Sequence, residues 1–413
     1  MKLAKFAALV VLGPFVFACS SSSNNGDDDT IDASDSGGGG TIDSGNGDSA
    51  IDASDDGSTI DAGDSGDNGE PAATIHIIGR TDPQDPAASP RFSWSGTQIR
   101  TRFSGTGATI KLADMGNNWF DVSIDGVPAP NPTITTSGGS SAQSYVFAPQ
   151  GSLADAEHDL VITKRNETSQ GDVQFLGITT PEGRDLIPTT LPFAHRLEFV
   201  GDSISAGYGV FGPGPDCDPS INPQGEVESE PSAYPALTAA ALHASHHTIA
   251  YSGIGLIRNY NGNTTVPPMS DLYKRTLVNN ANLFWDFSYV PDAIIINLGT
   301  NDFSNSDPGP QFETAYVTFM EFVRSKYPNA FIVAALSPMV SDFYPIDNAR
   351  TTLSNYLSGA VAERQNAGDN NVAEFEFEVQ LGPDYGCDYH PNVAEQQALS
   401  DQLVPFLRAK LGW

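Results

Sequence analysis

Ser203 stands where a short apolar, β-prone run, Leu197-Glu-Phe-Val200, is broken by Gly201-Asp202. A serine at the end of a buried strand projects into a cleft, and its hydroxyl becomes a nucleophile if a base lies within hydrogen-bond reach. Gly-Asp-Ser alone is a weak signal, because a serine opening a helix also serves as an N-cap. Three later motifs supply partners: Ser252-Gly253-Ile254-Gly255, Gly299-Thr300-Asn301-Asp302 and Cys387-Asp388-Tyr389-His390-Pro391. Together these residue types suit acyl transfer. Ser203 would attack an ester carbonyl, and the charge developing on its oxygen would meet the N–H groups of Ser203 and Gly253 and the side-chain amide of Asn301. His390 would take the serine proton and return it to the leaving alcohol. Asp388 would fix the imidazole tautomer.

Plainer readings stand beside these. Gly253 and Gly255 can simply turn a strand end, Asn301 can cap the stretch after it, and Asp302 reads as a partner for nearby backbone. The other histidines, His76, His158, His195, His243, His246 and His247, have no catalytic neighbours and read as surface or packing residues.

What must position the four motifs is an alternation of strands and helices after Pro192. Strands are expected at 197–200, 248–251, 293–298, 331–336 and 372–377, and helices at 232–242, 311–326, 347–367 and 392–411. Four of the strands are apolar enough to be buried on both faces, which predicts a parallel sheet between two helical layers. The fifth, Ala373-Glu-Phe-Glu-Phe-Glu378, alternates and reads as an edge. In such a sheet ligands gather beyond the carboxyl ends of the strands, where all four motifs fall.

Residues 72–190 have another texture: short β-rich runs between Gly, Pro, Asn and Asp, with no helical period. Strands are expected at 75–78, 97–103, 109–112, 119–124, 145–148, 159–163 and 173–178, with Asp125-Gly126 turning a hairpin. That density of short strands predicts a sandwich or barrel.

The N-terminus reads as an export signal: Lys2 and Lys5, an apolar run over 6–17, then Ala18-Cys19. The run is too short to span a bilayer. Cys19 after a small residue looks like a bacterial lipobox cysteine, with ordinary cleavage and an incidental Cys as the alternative. Anchoring would then come from acyl chains, and the protein would be an exported lipoprotein of the cell envelope. Residues 20–70 hold fourteen of the 51 acidic residues, no Lys or Arg and no aromatic residue. They predict a disordered, self-repelling spacer. The net charge of -31 argues against nucleic acid as a partner. Cys217 and Cys387 remain, in an oxidising compartment, and read as a disulfide or as two separate buried thiols. No His or Cys spacing suggests a metal, and no cofactor is expected. Oligomeric state is not legible.

The four blocks resemble the SGNH (GDSL-type) hydrolases. The preceding half resembles the companion domain of carbohydrate esterase family 2 in Gly79-Arg80-Thr-Asp82, Pro90-Arg-Phe-Ser-Trp94-Ser-Gly96, Ile99-Arg-Thr-Arg-Phe103 and Asn118-Trp-Phe-Asp-Val-Ser-Ile-Asp-Gly126. The segments Ser252-Gly-Ile-Gly-Leu-Ile-Arg-Asn-Tyr260 and Gly386-Cys-Asp-Tyr-His-Pro391 carry the same likeness. The resemblance implies an α/β, flavodoxin-like parallel-sheet sandwich at 191–413 preceded by a β jelly roll at 71–190, after a signal at 1–19 and a spacer at 20–70. It also implies removal of O-acetyl groups from acetylated plant polysaccharide or oligosaccharide, such as xylan or glucomannan, through an acetyl-serine and without metal. In the broad pattern the acid sits three residues before the histidine, where this chain has Cys387. Either Asp388, two before it, completes a triad, or a Ser-His dyad works with backbone carbonyls orienting the ring. Phe303 and Tyr389 adjoin motif residues and are candidates to pack against sugar, as is Tyr208 more remotely; Trp285 reads as core. Two other functions are a non-catalytic carbohydrate-binding lipoprotein and an esterase for lipid or peptidoglycan acyl groups.

Overall fold

The computed structural model describes residues 73–83, 89–181, 184–217, 224–380, 382 and 385–413. The expected export signal, Cys19 and the acidic spacer lie outside the described residues.

Ten short strands build the first half: β1 (His76–Ile78), β2 (Arg91–Phe92), β3 (Gln98–Gly105), β4 (Ala108–Asp114), β5 (Trp119–Ile124), β6 (Val127–Thr135), β7 (Gln143–Ala148), β8 (Ala156–Lys164), β9 (Val173–Thr179) and β10 (Leu186–Ile187). They form two antiparallel sheets, β1-β3-β8-β5-β6 with β10 beside β3, and β2-β9-β4-β7. Alternate residues point inward, as the period of a pleated strand requires. Phe103, Phe120 and Ile162 of one sheet thereby meet Ile110, Phe147 and Phe175 of the other in a single core. Asp125 and Gly126 both have positive φ, 54° and 77°, the type I′ geometry whose twist matches the flanking strands.

Three strands were not expected from sequence: the two-residue β2 and β10, too short to carry a pattern, and β6, which carries Pro128, Pro130 and Pro132. The last lies at the end of its sheet, paired among the described residues only with β5, where a missing N–H costs no ladder bond.

The second half is a five-stranded parallel sheet, β11 (His195–Gly201), β12 (Ala244–Ala250), β13 (Ala293–Asn297), β14 (Phe331–Leu336) and β15 (Val372–Glu376), in the order β12-β11-β13-β14-β15. Its helices are α1 (Ser203–Ala206), α2 (Gln224–Val227), α3 (Tyr234–Ala241), α4 (Met269–Leu272), α5 (Gln311–Lys326), α6 (Ala349–Asn366) and α7 (Val393–Leu411). Leu197, Phe199, Ile295 and Val333 pack with Tyr234 of α3 and Leu399 and Leu403 of α7. Their neighbours Val200, Ile294, Ile296 and Ile332 pack on the opposite face with Phe312 and Tyr316 of α5 and Leu353 of α6. This alternation is why the strands read as unbroken apolar runs. β15 is an edge, as its alternating sequence suggests. β12 starts four residues before the expected position because His246 and His247 are buried in it, one against Glu230 (2.9 Å) and one stacked on Tyr289 (ring centroids 3.7 Å apart).

The chain order of the sheet reverses between β12 and β13, on either side of β11. A crevice opens at such a switch point beyond the carboxyl ends of the strands, and Ser203 follows the end of β11 there. The β domain packs onto this half through buried side chains. Trp94 joins the second domain's core and donates its indole N–H to the Thr276 carbonyl at 2.9 Å.

Candidate active site

Gly201 ends β11 where a Cβ would collide with the Ser205 side chain, so only glycine lets the strand turn here. Asp202 caps α1 by accepting the Ile204 N–H at 3.1 Å, which leaves Ser203 free of the capping role its position also suggested. Ser203 Oγ lies 2.7 Å from His390 Nε2, across 187 residues of sequence.

The other ring nitrogen decides how His390 is held. His390 Nδ1 lies 3.1 Å from both the Cys387 and the Asp388 main-chain carbonyl oxygens. With carbonyls as its only acceptors among the described residues, Nδ1 carries the proton, and Nε2 is left as the base facing Ser203. The Asp388 carboxylate is elsewhere, accepting the Tyr208 hydroxyl at 2.7 Å. The triad role expected of the Asp388 side chain is thus corrected: Asp388 serves the imidazole through its backbone. The physical reason is local. Asp388 and Tyr389 both adopt positive φ, 51° and 62°, which curls the carbonyls of 387 and 388 under the ring and swings the carboxylate away. Tyr208, fixed by that carboxylate, presents its ring in an edge contact to His390 (centroids 4.7 Å apart).

The His390 loop rests on the nucleophile's loop. The Cys387 N–H donates to Gly209 O and the Asp388 N–H to Pro215 O, each at 3.0 Å. Gly209 has φ 69°, and a Cβ there would meet Cys387 at 2.9 Å, so this contact needs glycine twice over. Cys387 is also joined to Cys217 by a disulfide, with Cα atoms 5.1 Å apart. The bond closes 170 residues and ties the two loops together. Replacing both cysteines by serine should lower stability by up to roughly 4–5 kcal/mol on the chain-entropy account. It should also reduce turnover as the carbonyls under His390 loosen. Unchanged melting and unchanged kcat in that double variant would remove the clamp from the site.

The expected oxyanion donors follow the ends of three neighbouring strands, Ser203 after β11, Gly253 after β12 and Asn301 after β13. Gly253 has φ 76°, and a Cβ there would make only an ordinary contact with the Tyr260 side chain at 3.8 Å, so its backbone angle is what demands glycine. Its carbonyl accepts the Tyr260 N–H at 2.8 Å. Asn301 Nδ2 lies between Asp202 Oδ2 (3.2 Å) and the Ile254 carbonyl (3.0 Å). Asn301 therefore links the nucleophile's turn to the Gly253 loop, and an oxyanion there would share an amide hydrogen with one of these acceptors. Burial, with Asp302 nearby adding to it, pushes the Asp202 carboxyl up to about 7. Asp302 is a backbone partner: it accepts the N–H groups of Leu256, Ile257 and Arg258 at 2.8–2.9 Å and shapes the loop that follows Gly255.

Phe303 does not line the site. It is fully buried and packs against Phe312 and Tyr356, because the turn after Asn301 points its side chain back into the helical layer. Trp285 is core, as expected. Tyr389 is exposed, and so are Tyr260 and Tyr344, which the sequence did not single out; partial burial raises the Tyr344 pKa, with the Tyr260 and Tyr389 phenols adding to it. A Tyr directly after the Gly253 loop was the available signal for Tyr260, whereas nothing near Tyr344 in sequence belongs to a motif.

Burial lowers the His390 pKa below its ordinary 6.5, opposed by the Cys387 carbonyl and the Asp388 charge. The base must be neutral, so a lowered pKa extends the active form to lower pH. The acid limb of kcat/KM against pH should accordingly have its midpoint below 6.5. Asp388→Asn removes a charge that raises the imidazole pKa, so the limb should move further down. Turnover should fall less than about tenfold, against about 10⁴ for a true triad acid. A 10⁴-fold loss with an unshifted limb would restore the triad.

Residues 77–189 match the family Carbohydrate esterase 2 N-terminal, and residues 199–398 match the GDSL-like Lipase/Acylhydrolase family. The chain is 38% identical over 338 residues to Cellulase/esterase CelE of Acetivibrio thermocellus, covering 81% of this chain but only 39% of that longer protein. It is 30% identical over 356 residues to an Acetylxylan esterase / glucomannan deacetylase of Cellvibrio japonicus, covering 82% of this chain and 91% of that one. Among solved structures, a family two carbohydrate esterase from Clostridium thermocellum in complex with cellohexaose superposes with a TM-score of 0.74 at 35% identity, over 82% of this chain and 99% of that one. Likeness in both halves, in sequence and in architecture, leads to one assignment: the chain belongs to carbohydrate esterase family 2, whose members are carboxylic ester hydrolases.

Proposed function

We propose that this protein is a serine esterase that removes O-acetyl groups from plant cell-wall polysaccharide, xylan or glucomannan, through an acetyl-serine intermediate. The observation that carries this reading is the 2.7 Å contact between Ser203 Oγ and His390 Nε2, with Nδ1 held by two carbonyls. Ser203 Oγ attacks the acetyl carbonyl as its proton passes to His390 Nε2. The tetrahedral oxygen meets the N–H groups of Ser203 and Gly253 and the amide of Asn301. Collapse breaks the bond to the sugar oxygen, which takes the proton from His390 and leaves. Water, deprotonated by His390, then attacks the acetyl-serine and releases acetate and the free hydroxyl. Exposed Tyr389, Tyr260 and Tyr344 support a sugar rather than a lipid leaving group, since phenol rings can stack on pyranose faces and bond hydroxyls at the rim.

Acetate release tests the reading, measured on acetylated xylan, acetylated glucomannan and long-chain acyl esters, with mass spectrometry of the Ser203 peptide quenched during turnover. Release from the polysaccharides, with an acetyl group on that peptide, is expected. Preference for long-chain esters, or polysaccharide binding without release, would sink it.

A further inference from the structure

Beside the site lies a buried cluster of carboxylates that the mechanism above does not use. Glu167 belongs to the β domain, three residues beyond β8, and is 1% exposed. Its Oε2 accepts the Ser252 N–H at 2.6 Å, and its Oε1 accepts Gln224 Nε2 at 2.6 Å. Its own N–H donates to Glu228 Oε1 at 2.6 Å, and Gln224 Nε2 also reaches Glu228 Oε2 at 3.1 Å. Lys164, fully buried, donates to the Asn166 and Glu167 carbonyls at 2.6 and 3.1 Å and supplies the cluster's positive charge. Two buried carboxylates beside one lysine are costly to assemble, and a packed apolar contact would hold two domains together as well.

What this arrangement does that an apolar contact could not is hold one N–H of the Gly253 loop. The chain around Gly253 is gripped on both sides: Ser252 N–H by Glu167 upstream, and Gly253 C=O by the Tyr260 N–H downstream. Between those grips lies the single peptide group that carries the Gly253 N–H. A turn bond from the Ile254 N–H to the Tyr251 carbonyl at 3.2 Å spans this peptide without holding either of its own polar groups, and with φ 76° and no side chain Gly253 has little of its own to fix that peptide's direction.

Resting on the esterase reading above, we propose that Glu167 is a positioning residue for catalysis: the β domain reaches across and sets the direction of the Gly253 oxyanion donor. The β domain thus completes the active site through a main-chain N–H of the catalytic half.

Glu167→Gln keeps an acceptor for Ser252, Glu167→Asp withdraws it by one methylene, and Glu167→Ala removes it. Aryl acetate hydrolysis, inhibition by phenylboronic acid, and amide hydrogen exchange of the peptide spanning Ser252 and Gly253 are measured well below each variant's melting temperature. The boronate's tetrahedral adduct on Ser203 places an oxygen where the oxyanion forms. A donor displaced by about an ångström should lower kcat roughly 100-fold. The Ala and Asp variants should show this with KM changed less than threefold, with boronate inhibition weakened in proportion and exchange accelerated. The Gln variant should stay within about threefold of wild type, which a role in charge or packing alone does not require. Should the Ala variant not fold, Asp and Gln decide. Full kcat in the Asp variant, or a loss of kcat with unweakened boronate inhibition, overturns the proposal. A wild type that hydrolyses no acetate ester would sink the esterase reading instead, and exchange would still decide whether Glu167 holds the loop: unchanged exchange overturns it, faster exchange supports it.

Discussion

Ser203→Ala will lower kcat for acetate release by roughly 10⁴- to 10⁶-fold, with KM and thermal stability close to wild type. The size follows from what the oxygen does. His390 Nε2 faces Ser203 Oγ and accepts its proton; without Oγ the base can act only on water, which is neither held in place nor able to store the acetyl group. The oxyanion donors remain and account for the residual rate. Stability is spared because Oγ has its bond to His390, a residue on a loop, and the side chain is already small and 7% exposed. Acetate release from acetylated xylan, followed beside a melting curve, checks both halves. A variant that keeps more than a tenth of wild-type turnover would mean that another residue is acylated.

Arg80→Ala will cost about 3–5 kcal/mol of stability, the usual consequence of removing one member of a fully buried ion pair. Arg80 crosses from the β domain into the catalytic half and, like Glu198, is 0% exposed. One guanidinium nitrogen donates to the Tyr273 carbonyl and, at 3.1 Å, to that of Arg275; the other lies 3.4 Å from Glu198 Oε2. Its plane sits among Tyr273, Trp285 and Phe287, 4.8–5.8 Å from their ring centres. Glu198 is on β11 itself, so an alanine at 80 leaves a buried carboxylate whose charge is unopposed, with the Tyr273 hydroxyl still donating to it, in the strand that presents Ser203. Burial already raises the Glu198 pKa, and Arg80 is the main group opposing that rise. Denaturant unfolding of wild type, Arg80→Ala, Glu198→Gln and the pair should show the double variant recovering part of the loss, since it removes the stranded charge. A loss below about 1 kcal/mol for Arg80→Ala would mean that solvent reaches Glu198 and the anchor lies elsewhere.

Both predictions concern residues that were legible to different degrees. Ser203, Gly253 and Asn301 could be picked out in sequence because each closely follows a strand, where chemistry needs small or hydrogen-bonding residues after an apolar run, and His390 because a proline and a long helix follow it. The strands were legible for the same reason: burial on both faces leaves an unbroken apolar signature. Arg80 and Glu198 carry no such mark. A buried ion pair looks in sequence like two ordinary surface charges, and only the packing of one domain on the other reveals that both have left water.

The order of the long buried strands and helices and the two domain types were determined by the sequence alone, because hydrophobic period is a local property; the short strands β2 and β10, the proline-bearing β6 and the one-turn helices α1, α2 and α4 were not. What the tertiary structure alone decided is where side chains point. It turned Phe303 inward, put the carbonyls of Cys387 and Asp388 where a carboxylate was expected, and brought Glu167 from the other domain to Ser252. Those outcomes depend on backbone angles such as the positive φ at Asp388 and Tyr389 and on contacts between residues far apart in the chain, and neither leaves a trace in spacing.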